Sequence, residues 1–187
     1  MQAETTNEPR GRWQLLALAL VFFGPLLAAI GWYFLGDVET ASVNYGELID
    51  PPVSLDAKLH FDSGTRGRWT LLLKTDGRCD EICQQALVTV RQVRLATGRE
   101  IDRIERAVLV VDSTQLADVV DQHPGLIVFD QDNTVGNEIQ TAAAALPAPQ
   151  IYIMDPLGNI MMRYPVDPDR KKMLTDIKKL LKFSRIG

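Results

Sequence analysis

Three features of this 187-residue sequence predict an α/β domain, a central mixed sheet with flanking helices, carried behind one N-terminal transmembrane helix. The first is an apolar stretch, Trp13 to Leu35, without one charged side chain. The second is the order of the segments after it, in which β-branched runs alternate with segments of helical periodicity. The third is the position of the only two cysteines, Cys79 and Cys83, between an apolar run and an amphipathic one.

The apolar stretch is long enough to cross a hydrocarbon core of about 30 Å as a helix. Trp13 at one end and Trp32 and Tyr33 at the other suit the two interfaces. Arg10 and Arg12 precede it, Asp37 and Glu39 follow, and no Lys or Arg returns until Lys58. The positive-inside rule therefore puts residues 1–12 in the cytoplasm and residues 36–187 outside. The expectation is a single pass through an inner (plasma) membrane, with the domain on the periplasmic or equivalent outer side. A cleaved signal peptide is disfavoured by the length of the run and by bulky Trp32, Tyr33 and Phe34 where small residues would be needed.

A hydrophobic content of 46% and a charged content of 24% allow a globular core. The net charge of −4 lacks the basic field of a nucleic-acid binder. Two cysteines are too few for a disulfide scaffold.

Residues 36–52 are polar, with turn signals at Asn44-Tyr45-Gly46-Glu47 and Asp50-Pro51-Pro52, and read as a linker. The domain is expected over 53–187, starting with a strand at 53–61. Arg68 to Thr75 has the continuous apolar middle of a strand covered on both faces. Ile82, Ala86, Leu87, Val90 and Val93 recur at helical spacing, and Gly98 stops that helix. A second central strand is expected at 106–111. Ser113 or Thr114 is then placed to cap a helix running to about Gln122. Residues 126–129 read as a short strand and 137–145 as a helix. Gln150 to Met154 and Asn159 to Tyr164 form a hairpin around Asp155-Pro156-Leu157-Gly158. Asp167 is expected to cap a last helix with Pro168 at its first position. There Met173, Leu174, Ile177, Leu180 and Leu181 make one stripe, opposite Lys171, Lys172, Lys178 and Lys179. The order β-α-β-α, hairpin, α is that of a thioredoxin-like domain with one insertion before the hairpin.

Side chains at i and i+4 of a helix face the same way, so Cys79 at the helix start and Cys83 one turn in would converge. The positive end of a helix favours thiolate over thiol. That makes Cys79 the attacking sulfur and Cys83 the resolving one. Two thiolates also suit copper, and a purely structural disulfide is the bland alternative outside the cytoplasm. Zinc would want about four ligands. Only His60 and His123 remain; His60 reads as a packed strand residue and His123 as a surface residue of the His123-Pro124-Gly125 turn. Met154, Met161 and Met162 read as core, although their sulfurs suit copper.

With these residues in view, the chain resembles the Sco family of copper proteins, which assist assembly of cytochrome c oxidase. The resemblance runs from about residue 44 to the end. It rests on Gly67-Arg68-Trp69-Thr70-Leu71-Leu72, on Cys79-x-x-x-Cys83, and on Ile151-Tyr152-Ile153-Met154-Asp155-Pro156-Leu157-Gly158. It implies a thioredoxin-like domain anchored outside the membrane. Implied with it are copper as ligand, Cys79 and Cys83 as its ligands, and an oxidase subunit or a copper carrier protein as partner. Two departures stand out. The family has a proline after the second cysteine, where this chain has Gln84. It also has a ligand histidine before the hairpin strand, where this chain reads Ala145-Leu146-Pro147-Ala148-Pro149-Gln150. Pro149 instead resembles the proline, usually cis, that faces the thiols of thioredoxin-like reductases and shapes their substrate groove. Three functions stay open: copper handling in oxidase assembly, thiol–disulfide exchange that keeps copper-site cysteines reduced, and a non-catalytic assembly protein with a structural disulfide.

Overall fold

Residues 10–35, 44–56, 64–75, 79–111, 116–130 and 134–186 are described by the structure, a computed structural model. Contacts divide the chain into two units, Met1–Ala41 and Ser42–Gly187. In the first, α1 (Arg10–Leu35) runs unbroken through Pro25. Its apolar window Trp13–Gly31 is long enough to cross a membrane.

The second unit is a six-stranded sheet in the order β1-β6-β5-β2-β3-β4. Its strands are β1 (Glu47–Ser54), β2 (Trp69–Lys74), β3 (Ile104–Leu109), β4 (Leu126–Phe129), β5 (Gln150–Met154) and β6 (Asn159–Pro165). β2, β3 and β4 are parallel, while β5 is antiparallel to β2 and β6, and β6 to β1. The helices are α2 (Glu81–Ala96), α3 (Ala117–Gln122), α4 (Thr134–Ala142) and α5 (Arg170–Phe183), with a 3-10 turn at Gly98–Arg103.

Alternation along β2 sorts the core into two layers. Trp69, Leu71 and Leu73 face α2, α3 and α5, where Leu87, Val90, Leu116, Met173 and Ile177 close over them. Leu72 points the other way, into a layer with Leu109, Phe129, Tyr152 and Ile139 of α4. Every residue of β2 is buried, as its continuous apolar run predicts. The expected insertion is β4 plus α4, which widens the sheet and supplies the second layer.

Several expected boundaries shift. The first strand lies at Glu47–Ser54, not 53–61. It is an edge strand with an irregular register between Leu48 and Val53, so Pro51 and Pro52 break no interior ladder. Residues 57–63, with His60, lie outside the described residues, as do Ser113 and Thr114. The second central strand is Ile104–Leu109, two residues earlier than expected. α4 begins at Thr134, three residues early. The cap of α5 is Asp169, not Asp167: its Oδ1 accepts from the amides of Lys171 (2.9 Å) and Lys172 (3.1 Å). Pro168 precedes that cap, because Asp169 holds the extended backbone a cap needs.

Asp176, unremarkable in the sequence, organises the start of the domain. It is 2% exposed on α5. Its Oδ2 accepts from the amides of Tyr45 (2.8 Å) and Gly46 (2.9 Å) and from the Tyr164 hydroxyl (3.2 Å). Burial, then the Asp176 charge, holds the Tyr164 phenol far above the ordinary tyrosine range.

Candidate functional site

Cys79 and Cys83 are joined in a disulfide with their Cα atoms 5.0 Å apart. Asp80 caps α2 between them: its Oδ1 accepts from the Cys83 amide at 3.0 Å, and its carbonyl accepts from the Gln84 amide at 3.0 Å. Cys79 therefore precedes the helix and is not its first residue, while Cys83 sits on the first turn. The bridge straddles a cap, which is why a spacing of four positions closes. Cys83 is 3% exposed and belongs to the core layer of Ala86 and Leu87. Cys79 is half-buried at the edge of that layer, and Ile82 between them is exposed.

The sheet brings Pro149 to the same end. Gln150, at the start of β5, pairs with Lys74, at the end of β2 and five positions before Cys79. The Ala148–Pro149 bond is cis. The turn ahead of it is held by side chains that sequence patterns alone do not single out. Lys74 is buried, and its Nζ donates to the carbonyls of Ala143 (2.7 Å) and Leu146 (2.6 Å), just past the end of α4. A cation there meets the negative end of a helix. Burial lowers its pKa. The Tyr152 hydroxyl donates to the Pro147 carbonyl at 2.5 Å, and burial pushes that phenol up to about 12. A lysine closing the apolar run Leu71-Leu72-Leu73 was the available signal for Lys74, because a charged residue on a two-sided strand needs dedicated partners.

The other soft side chains are spread over both layers of the core. Met154 is buried in the layer under α4, and Met162 is buried against the Tyr164 hydroxyl, which reaches its Sδ at 3.0 Å. Met161 packs partly buried against the opposite layer. Among the described residues, no three His, Cys, Asp or Glu side chains are grouped to hold a metal. His123 is not a surface residue: it is 5% exposed, with Nδ1 buried and unpartnered. The turn after it folds back, the Leu126 amide donating to the His123 carbonyl at 3.1 Å. Its ring lines a cleft of about 380 Å³ with Glu81, Gln84, Gln122 and Arg170, on the face of α2 turned away from Cys83.

Burial, then the nearby Arg106 and Arg91, lowers the His123 pKa below 6.5. The folded state then binds fewer protons than the unfolded one just below pH 6.5. Stability from this group is complete above 6.5 and is lost as pH falls toward the folded pKa. Urea midpoints at pH 7.5 and 5.0 should therefore differ less in His123→Asn than in the wild type. An equal difference in both would remove His123 as the cause.

Among curated proteins, none matches the chain. Several solved structures share its fold at low identity. Sco1 of Thermus thermophilus, in its apo form, matches with a TM-score of 0.54 at 15% identity, over 74% of this chain and 97% of that one. ScoI of Arabidopsis thaliana, with copper bound, gives 0.52 at 18% identity, over 65% and 88%. ScoI of Bradyrhizobium japonicum, with copper bound, gives 0.50 at 17%, over 63% and 88%. The model of the family described as transmembrane-like, N-terminal domain matches residues 6–36. The one described as transmembrane-like, thioredoxin-like, C-terminal domain matches residues 69–184, the greater part of the chain and all of the site. The chain belongs to this transmembrane-like, thioredoxin-like family.

Proposed function

We propose that this protein is a membrane-anchored, outward-facing thiol–disulfide oxidoreductase that serves cytochrome c oxidase assembly, keeping the cysteines of a copper site or of a copper carrier reduced. The observation that carries this reading is the closure of Cys79 and Cys83 into one disulfide at the start of α2, with no third His, Cys, Asp or Glu grouped beside them among the described residues. In the reduced protein, the Cys79 thiolate attacks one sulfur of the partner's disulfide. A mixed disulfide forms and one partner thiolate leaves. The Cys83 thiolate then attacks Cys79, closing the 79–83 disulfide and releasing the second partner thiolate. Two electrons pass to the partner. Pro149 lines the groove in which the partner lies, and Ile82 offers it an apolar contact.

Copper handling is the second reading, favoured by the copper-bound structures of similar fold. Here copper is cargo. Two thiolates suit soft Cu(I), whereas Cu(II) would want nitrogen or oxygen donors in a square array. With no histidine in Ala145–Gln150, a third ligand would come from the partner.

The exchange mechanism is tested with an oxidised dicysteine peptide as partner, using the full chain in detergent. Cys83→Ser should trap a covalent adduct through Cys79, and Cys79→Ser should trap none. The reverse pattern would overturn the assigned roles. Stoichiometric Cu(I) uptake by the reduced chain, lost in both serine variants, would favour the second reading. A reporter fused after Gly187 and active only in the cytoplasm would overturn the orientation.

A further inference from the structure

We infer that the solvent face of α5 is a docking surface for the headgroups of an anionic lipid bilayer. Arg170, Lys171, Lys172, Lys178, Lys179, Lys182 and Arg185 are seven of the chain's 20 basic residues, gathered into one short stretch. Only one of the 24 acidic residues lies among them. That residue is Asp176, turned into the core and engaged there by Tyr45, Gly46 and Tyr164, with the Lys179 ammonium 3.9 Å from its other oxygen. The chain as a whole carries −4, so this is a basic surface on an acidic protein.

The pattern within the helix points outward. Met173, Ile177 and Leu181 bury one face, while Lys171, Lys178 and Lys182 lie on the opposite one, all exposed. A solvated helix face gains from opposite charges at i,i+3 and i,i+4. Here Lys178 and Lys182 are i,i+4, like charges side by side on the exposed face near the helix C-terminus. Phe183 is 79% exposed, with the Lys182 ammonium 5.7 Å from its ring, and Ile186 is 51% exposed. Lysines beside an uncovered aromatic are the chemistry of an interfacial helix, cations at the phosphates and the ring among the upper acyl chains.

Connectivity favours a bilayer over a soluble acidic partner. Tyr45 is held at the start of α5: its hydroxyl accepts from the Asp169 amide at 3.0 Å, and the Lys172 ammonium lies 5.4 Å from its ring. Ten Cα steps link Leu35, the end of the apolar helix, to Tyr45. That is at most about 35 Å of chain between the apolar helix and the domain, short enough to allow the domain to reach the headgroups. Attraction of lysines to an anionic surface acts within about one Debye length, roughly 10 Å, so it holds the face once the domain has come down onto the bilayer.

The test uses the full chain, one copy per nanodisc, with lysine acylation read by mass spectrometry. One set of discs is pure phosphatidylcholine and the other contains about one third phosphatidylglycerol. Lys171, Lys178 and Lys182 should react several-fold more slowly in the anionic discs, and the difference should vanish at high salt. A triple Lys171→Gln, Lys178→Gln, Lys182→Gln chain should leave Lys172 and Lys179 equally reactive in both discs, with unchanged urea stability. Equal rates for the wild type in the two lipids would overturn the proposal. So would slowing that depends on chain density, which would assign the face to a second copy, or slowing only on addition of an acidic soluble protein.

Discussion

Replacing Asp176 with alanine should cost the domain about 3–5 kcal/mol, a large share of the 5–15 kcal/mol typical of a domain. One carboxylate oxygen accepts three bonds from groups far apart in sequence: the amides of Tyr45 and Gly46 and the hydroxyl of Tyr164. Alanine leaves the two amides without that acceptor and the Tyr164 hydroxyl with only the weak acceptor Met162 Sδ, and each loss carries a desolvation cost. Asparagine keeps one carbonyl oxygen at the same place and should recover part of the loss. Gly46 adds to the sensitivity of this corner. A Cβ there would stand 2.6 Å from Met162 Sδ and 2.6 Å from the Tyr164 ring, so the chain packs against these β6 side chains only as glycine. Tyr164 gives a pH readout. Its folded pKa is raised, so its contribution is complete below pH 10 and is lost as pH rises beyond it. Urea unfolding of Asp176→Ala, Asp176→Asn and Tyr164→Phe measures the ranking. An alanine variant within about 1 kcal/mol of the wild type would show that the clasp contributes little.

Gly136→Ala should destabilise by about 2–3 kcal/mol, against a gain of about 1 kcal/mol expected from helix propensity alone. Gly136 lies in the first turn of α4, where an added Cβ would meet the Asp130 carbonyl oxygen at 1.9 Å. The obstacle is backbone, so no rotamer change relieves it. Either α4 lifts from the end of β4 or Asp130 moves, and both disturb the layer of Ile139, Phe129 and Tyr152. Thermal unfolding decides the sign: a higher Tm in the alanine variant would mean that α4 shifts freely.

Most of the sheet was legible because its strands are either wholly apolar or plainly alternating. Trp69–Lys74 and Gln150–Met154 carry their burial in their composition. What escaped was set by partners distant in sequence. The Asp50-Pro51-Pro52 run reads as a turn, yet it fits an edge strand, pinned by the two bonds from Arg163 to Glu47 at 2.9 and 2.6 Å. Asp167 and Asp169 are equivalent caps in one dimension, and only the backbone entering α5 selects the second. Asp176 looks like one more polar position on a lysine-rich helix until Tyr45 and Gly46 fold onto it. Thr134-Val135-Gly136 lies before the helix expected at 137–145, and its glycine serves a close approach to Asp130. In the candidate site, the cysteine pair stood out by its spacing and Pro149 by its resemblance to the proline of thioredoxin-like reductases. The cap between the cysteines was not, nor was the Lys74 and Tyr152 bracing of the turn before Pro149.

The central claim is that Cys79 and Cys83 form a working redox couple and not a permanent staple. The most direct test is the equilibrium potential of that disulfide in the full chain, titrated against dithiothreitol and read by thiol alkylation. A couple that hands electrons to partner cysteines should lie between about −200 and −270 mV, among the thioredoxin-like reductants. A potential below about −300 mV would make the bridge structural and contradict the account.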